Sequence, residues 1–172
     1  MEFQLSGCVL REWRPGDAAS LARHANNPRV ARNLRDLFPN PYTHDDAVEW
    51  IVRHAGATQP TQFAIVAGDD AVGGIGLTAM SDVFHRSVEI GYWLSESFWG
   101  RGIMAQAVRA VTAYAFSHLD VAHVFAGVFE TNRASARVLE KAGFTLEGRL
   151  RRHVTKNGVT MDELVYGMIR PG

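Results

Sequence analysis

The stretch that most constrains the fold is a strand, a glycine-containing turn and a long helix, which follow one another between residues 87 and 119. SVEIGYWL is typical of a strand and SESFWG of a loop. Glycine inside a helix costs about 1 kcal/mol relative to alanine, so Gly100 and Gly102 either punctuate the turn or leave the backbone open to a ligand. RGIMAQAVRAVTAYAFSHL then predicts a helix with one apolar face, formed by Ile103, Ala107, Val111 and Ala115.

The first third of the chain predicts helices after an initial strand. CVLREW has the alternation of a strand, and Asp17 is placed to cap a helix through AASLARHANN, which Asn27-Pro28 ends. RVARNLRDL is compatible with a second short helix. Thr43 and Asp46 have the spacing of a capping box at the start of a clearer helix, which Gly56 ends.

The remaining runs predict a sheet with two late strand–helix units. QFAIVA, AVGGIGLTAM and VAHVFAGVF are strand-like, and the glycines of the second run indicate a bulge or the close approach of another backbone. NRASARVLEKAGF predicts a helix between Asn132 and Gly143, and Asn157-Gly158 predicts a hairpin turn. The pattern is that of a mixed α/β fold, and we expect a single domain over residues 1–172.

Composition excludes several classes of function. The formal net charge is zero, from 18 basic and 18 acidic residues, which disfavours a nucleic-acid-binding domain. One cysteine, Cys8, permits no internal disulfide and fits a reducing compartment. No CxxC or HExxH motif supports a metal site, and neither a signal peptide nor an apolar run of about 20 residues is present. We therefore expect a cytoplasmic protein without a bound metal or a membrane span.

The glycine turn has the properties of an anion site. The amides of a helix's first turn have no partner within the helix, and the helix dipole adds positive charge there. Gly100 and Gly102 would let a phosphate approach these amides, and Arg101 would add a charged contact. A plain tight turn with a surface arginine explains the same residues. Neither a P-loop nor a Rossmann glycine motif is present to identify the anion.

Two long motifs in the right order resemble the GNAT acetyltransferases. EIGYWLSESFWGRGIMAQAV followed by FETNRASARVLEKAGFTLEG is most similar to the RimJ/RimL-type branch, which acetylates protein N-termini, and PYTHDDAVEWI resembles that branch's second helix. The likeness runs from residue 9 to about residue 169. It implies a mostly antiparallel sheet with splayed central strands flanked by helices, and acetyl-CoA as co-substrate.

The resemblance also implies how the co-substrate is bound. The phosphate loop of the superfamily, Q/R-x-x-G-x-G/A, falls on Trp99, Gly100, Arg101, Gly102, Ile103 and Met104, and its amides would bind the pyrophosphate. The end of the preceding strand, Tyr92, Trp93 and Leu94, would pair its backbone with the pantetheine arm. Trp99 departs from the usual Gln or Arg, and Met104 from the usual small residue.

Glu89 and Ser135 are candidates for the chemistry of acetyl transfer, and Asn132 and Ser135 also for contact with the cofactor. Glu89, on the cofactor-binding strand, is our candidate base, although a structural carboxylate is the alternative. Asn132 suits a helix cap, and the resemblance implies that it contacts the pantetheine or the substrate pocket. In the RimJ/RimL-type branch the serine of N-x-x-S, here Ser135, is proposed to protonate the leaving thiolate. Many other members use a tyrosine that Leu139 replaces here, which leaves either Ser135 or water for this step.

The sequence therefore predicts an acetyl-CoA-dependent N-acetyltransferase that acts on a primary amine. A protein N-terminal amine, as in ribosomal proteins, is the first choice of acceptor. A small-molecule amine such as an amino acid, a polyamine or an antibiotic is the alternative, and a non-catalytic acyl-CoA-binding module is the rival of another class. The oligomeric state stays open, a homodimer included.

Overall fold

The computed structural model describes all 172 residues, Met1–Gly172. Four strands lie in the first half of the chain and four in the second. No helix in it is both long and apolar enough to cross a membrane. The strands are β1 Glu2–Leu5, β2 Cys8–Glu12, β3 Gln62–Ala67, β4 Asp70–Ala79, β5 Ser87–Leu94, β6 His123–Phe129, β7 Thr145–Lys156 and β8 Val159–Ile169; the helices are α1 Ala18–Ala25, α2 Pro28–Ala31, α3 His44–His54, α4 Ile103–His118 and α5 Arg133–Ala142.

The strands form one sheet in the order β1-β2-β3-β4-β5-β6-β8-β7. The β1–β2, β2–β3, β3–β4, β6–β8 and β7–β8 pairs are antiparallel, whereas β5 and β6 are parallel. The parallel pairing covers three residue pairs and ends at Glu89 and Phe125, although both strands continue beyond them. The expected mixed α/β fold, with a mostly antiparallel sheet flanked by helices, is confirmed.

The chain divides into two compact units. The first comprises Met1–Gly76 and Tyr92–Ile103, and the second Leu77–Gly91 and Met104–Gly172. The expectation of one domain over residues 1–172 stays a prediction.

The first unit has a core built mainly from α1, α3 and β3. Leu21 of α1, Ala47 and Ile51 of α3, and Ala64 of β3 are buried together with Trp13. Helix α3 begins with the predicted capping box, in which the Asp46 amide donates to Thr43 Oγ1 and the Thr43 amide donates to the Asp46 carboxylate. The predicted α3 helix and its cap are therefore confirmed.

Helix α4 and the second unit also follow the sequence closely. The predicted apolar face of α4, Ile103, Ala107, Val111 and Ala115, is buried. Asn132 caps α5, and Gly143 ends it at φ 96°. The β7–β8 hairpin turns at Asn157 and Gly158, which have φ 50° and 76°, as a two-residue hairpin turn requires.

Two N-terminal features differ from expectation. The first strand, β1, was not predicted: its residues EFQL alternate, but a run of four residues is at the lower limit of length for a strand signal. Asp17 lies at the N-cap position of α1, but the prediction that it caps the helix was wrong. Its carboxylate instead accepts two hydrogen bonds of 2.8 Å from the buried Arg11 guanidinium and one of 2.8 Å from the Arg14 amide. Leaving the buried Arg11 guanidinium without an anion would cost more than leaving the helix end uncapped, so Asp17 pairs with Arg11. The hydrogen bond to the Asp17 carboxylate raises the pKa of Arg11.

The Arg11–Asp17 pair gives a stability prediction. We expect Asp17→Ala to lower the free energy of unfolding by about 3–5 kcal/mol, because it leaves the Arg11 guanidinium buried without an anion. Asp120→Asn, which weakens the exposed pair with Arg86, is the control and should change it by less than about 1 kcal/mol. Urea denaturation followed by circular dichroism measures both. Similar small losses for the two variants would contradict the account.

Candidate active site

The end of β5 is held against β4 in the first unit. An added Cβ on Gly73 would lie 2.7 Å from the Trp93 carbonyl oxygen, and the Ser95 amide donates to the Val72 carbonyl at 2.8 Å. This confirms the predicted close approach of another backbone at the β4 glycines. Because peptide groups alternate in direction along a strand, the backbone groups of Tyr92 and Leu94 point away from β4.

Trp99 returns to the strand end that precedes it. Its indole Nε1–H donates to the Leu94 carbonyl at 2.8 Å, and the Arg29 guanidinium lies 5.9 Å from the centre of its ring. The side chain is 39% exposed. Where the superfamily usually has Gln or Arg, this chain therefore has a side chain whose polar group stabilises the loop itself.

The two glycines of the turn are required by backbone conformation. Gly100 and Gly102 have φ 76° and 74°, in the left-handed region that other residues enter at a cost. No protein atom lies within 4 Å of the position that a Cβ would occupy at either residue. Close packing therefore does not explain the glycines, and the space above them is open.

The turn delivers the chain directly into α4, which begins at Ile103. The side chains of Ile103 and Met104 are buried, so only their backbone can serve a ligand. First-turn amides without an acceptor inside the helix, next to residues of positive φ, form a concave surface that suits an anion. The glycine turn is compatible with the predicted phosphate loop, whose contacts stay a prediction.

Arg101 contacts two earlier residues of its own loop. Its Nη2 donates to the Ser97 carbonyl at 2.8 Å, and its guanidinium lies 5.0 Å from the centre of the Phe98 ring. The predicted contact of Arg101 with an anion stays a prediction.

Residues of α1, of α2 and of the link between them contact the segment that leads into the turn. Sequence reasoning missed these contacts. We call His24, Asn27, Arg29, Ser95 and Glu96 the loop clamp. His24 Nδ1 and Ser95 Oγ are hydrogen-bonded at 2.9 Å, and Asn27 Nδ2 donates to Glu96 Oε2 at 2.9 Å. Arg29 forms an ion pair with the other oxygen of Glu96. No local pattern could indicate this cluster, because its two parts are about 70 residues apart.

The candidates for proton transfer lie in the second unit. Glu89 is half-buried on β5, beside Phe125 of β6. The Asn132 side-chain oxygen accepts from the Ser135 amide at 3.2 Å, and Ser135 is half-buried in the first turn of α5. Leu139, at the position where many GNAT enzymes have a tyrosine, is completely buried. The roles of Glu89, Asn132 and Ser135 stay predictions.

Comparison with known proteins identifies the family. A family model described as the acetyltransferase (GNAT) domain matches residues 8–145. The chain belongs to the GNAT acetyltransferase family. Among its relatives, the uncharacterised N-acetyltransferase YoaA of Bacillus subtilis is 37% identical over 168 residues, which cover 95% of this chain and 93% of YoaA. YdaF of the same organism, a candidate ribosomal N-acetyltransferase, is 35% identical over 167 residues, which cover 94% of this chain and 91% of YdaF.

Solved structures of GNAT enzymes share the fold. The structure of RimL, a ribosomal L7/L12 α-N-protein acetyltransferase in complex with coenzyme A, superposes with a TM-score of 0.85 over 98% of both chains, at 22% identity. This likeness concerns the fold. The family assignment and the N-acetyltransferases among its relatives make this GNAT protein an N-acetyltransferase, without specifying its acceptor.

The loop clamp predicts how the turn responds to a mutation outside it. We expect Glu96→Ala to accelerate hydrogen exchange of the hydrogen-bonded Phe98 and Trp99 amides about tenfold, because the variant loses the hydrogen bond from Asn27 and the ion pair with Arg29. Glu49→Ala, at an exposed acid of α3, should leave these amides unchanged. Hydrogen exchange read by mass spectrometry makes the comparison. Unchanged protection in Glu96→Ala would show that the clamp does not hold the loop.

Proposed function

We propose that this GNAT enzyme transfers the acetyl group of acetyl-CoA to a protein N-terminal amine, as a member of the RimJ/RimL-type branch. The observation that carries the proposal is the path from the end of β5, through two glycines of positive φ, into the start of α4. This path supports the proposal, because it brings first-turn amides next to two glycines that have open space beside them, which suits a pyrophosphate.

The first unit would bind acetyl-CoA largely through its backbone. The amides of residues 100–104 would donate to the pyrophosphate, which explains why Trp99 and Met104 can depart from the usual motif without loss of the site. The backbone groups of Tyr92 and the Leu94 amide, which strand alternation directs away from β4, would pair with the pantetheine arm, while the Leu94 carbonyl keeps its hydrogen bond from the Trp99 indole. Asn132, which also caps α5, would contact the pantetheine through its remaining amide group.

Acetyl transfer needs two proton movements, which we assign to the second unit. Glu89 would take a proton from the acceptor amine, directly or through water, so that the nitrogen can attack the thioester carbonyl carbon. As the carbon–sulfur bond breaks, the Ser135 hydroxyl would donate a proton to the thiolate, which leaves as free CoA, and would recover a proton from the attacking nitrogen, directly or through water. The serine would thus relay the second proton from nitrogen to sulfur. An α-amine has a pKa of about 7.7–8.0 and loses its proton far more readily than a lysine side chain. A single carboxylate base such as Glu89 would therefore be enough to deprotonate a protein N-terminal amine.

The choice of acceptor is supported by sequence similarity. YdaF, which matches nearly the whole chain at 35% identity, carries a name that assigns it to ribosomal N-acetylation. The residues PYTHDDAVEWI, which resemble the second helix of the RimJ/RimL-type branch, form the capped helix α3.

The proposal predicts a specific pattern of CoA release. Peptides with free N-termini should release CoA from acetyl-CoA faster than polyamines, amino acids or aminoglycosides do. We expect Glu89→Gln to lower kcat/KM by about 10²–10⁴-fold, the range for loss of a general base, and Ser135→Ala to lower kcat. Both variants should bind acetyl-CoA as the wild type does. Thiol release read by a chromogenic disulfide and calorimetric binding measure these quantities.

Each other result has a distinct meaning. Faster CoA release with small amines than with peptides would make a small amine the acceptor and leave the acetyltransferase activity standing. Binding of acetyl-CoA without release by any amine would favour a non-catalytic acyl-CoA-binding module. Wild-type rates in Glu89→Gln would remove Glu89 from the mechanism.

A further inference from the structure

The carboxylate of Glu163, in the second unit, is mostly covered by protein and has few hydrogen-bond donors near it. The side chain of Glu163, on β8, is only 13% exposed, and its one polar contact is an ion pair of 3.5 Å with Nε2 of the exposed His153. Its carboxylate lies over Gly127 of β6, where an added Cβ would be 2.3 Å from Oε1. Glu163 is only partly buried and its oxygens are not among the buried polar atoms that lack a partner, so a ligand can still reach them and donate hydrogen bonds.

A second glutamate on the same sheet provides a contrast. Glu147 lies over Gly167 in the same manner, with 2.3 Å between its carboxylate and the position of an added Cβ. It is 36% exposed and hydrogen-bonded to His123 Nε2 at 2.9 Å. Glu147 is therefore both better solvated and more closely paired than Glu163, whose partner His153 is 3.5 Å away.

Strand register places Glu163 on the face that carries the proposed base. Glu89 is beside Phe125 in the parallel pair, and Phe129 is beside Glu163 in the antiparallel pair. Residues two apart on β6 share a face, so these four side chains and the open position at Gly127 lie on one side of the sheet. The half-buried Phe125 and Phe129 thus flank the Glu163 carboxylate along β6.

This end of β6 is also where the chain turns toward Ser135. The Asn132 amide donates to the Phe129 carbonyl at 2.8 Å, and α5 begins at the next residue, Arg133. Glu163 is thus paired with the last residue of the strand that leads to the α5 N-terminus.

We propose that Glu163 is the acceptor-binding carboxylate, which accepts hydrogen bonds from the ammonium group of the incoming amine and holds it on the face that carries Glu89. This inference rests on the proposed function. The flanking aromatic rings suit an ammonium group, because their faces attract cations. Glu163 would thereby select acceptors that arrive with a positive charge, and the proton would leave the ammonium for Glu89 before attack.

The test compares Glu163→Gln with the matched control Glu147→Gln in the full-length protein. Calorimetry measures binding of a tetrapeptide with a free N-terminal alanine, and of spermidine, to protein saturated with CoA. For whichever amine binds, steady-state kinetics then give kcat and KM. We expect Glu163→Gln to weaken binding and raise KM about 10- to 100-fold with kcat within about threefold, since a hydrogen bond to a charged group is lost. Glu147→Gln should match the wild type.

Two further measurements separate acceptor binding from a structural role. An arylamine, which is uncharged at neutral pH, should have the same KM with wild type and Glu163→Gln. Gly127→Ala keeps the carboxylate but displaces it with a Cβ, and should raise KM for the charged amine while the melting temperature stays close to that of the wild type.

The possible failures are distinguishable. A wild-type KM for the charged amine in both Glu163→Gln and Gly127→Ala, with CoA release intact, would overturn this inference and leave the proposed function standing. Equal losses for the charged amine and the arylamine would also overturn it. Failure of wild type to bind either charged amine, with CoA still bound, would overturn it together with the choice of acceptor. Loss of CoA binding in the wild type would overturn the proposed function itself.

Discussion

The turn between β5 and α4 depends on two residues that can adopt positive φ. Gly100 and Gly102 meet this demand, and the chain therefore enters α4 with its first-turn amides beside an open surface. The surrounding hydrogen bonds serve the same geometry. Trp99 binds the carbonyl of Leu94, Arg101 binds that of Ser97, and the loop clamp fixes Glu96. A rigid loop of this kind loses little further entropy when a phosphate binds, which favours affinity.

In the second unit, the roles that we propose belong to side chains rather than to backbone groups. Its sheet keeps glycine at positions 127 and 167, and a glutamate lies over each. A carboxylate above a glycine is close to the sheet and sheltered, so its strength as an acceptor depends on the donors supplied to it. His123 supplies one to Glu147, whereas His153 stays 3.5 Å from Glu163. The difference leaves Glu163 suited to a cationic ligand.

Sequence reasoning succeeded where the determinants are local. Helix caps at Thr43 and Asn132, the end of α5 at Gly143 and the turn at Asn157 each depend on a few adjacent residues, and all were predicted. It failed at Asp17, because the competing partner Arg11 is on another element and is buried only in the folded chain. The contact of Glu163 with Gly127 was missed for the same reason, whereas the bond from Trp99 to the Leu94 carbonyl is local but follows no general turn or capping pattern. Pairing between distant segments has no signature in a single sequence.

The central claim is that backbone amides of the glycine turn bind the pyrophosphate of acetyl-CoA. Amide chemical shifts in ¹H–¹⁵N spectra test it most directly, during titration with CoA and, separately, with pantetheine, which lacks the pyrophosphate. The account predicts that CoA shifts the amide signals of Gly100, Gly102 and Ile103 strongly and that pantetheine does not. Saturable CoA binding with these three signals unmoved would contradict it.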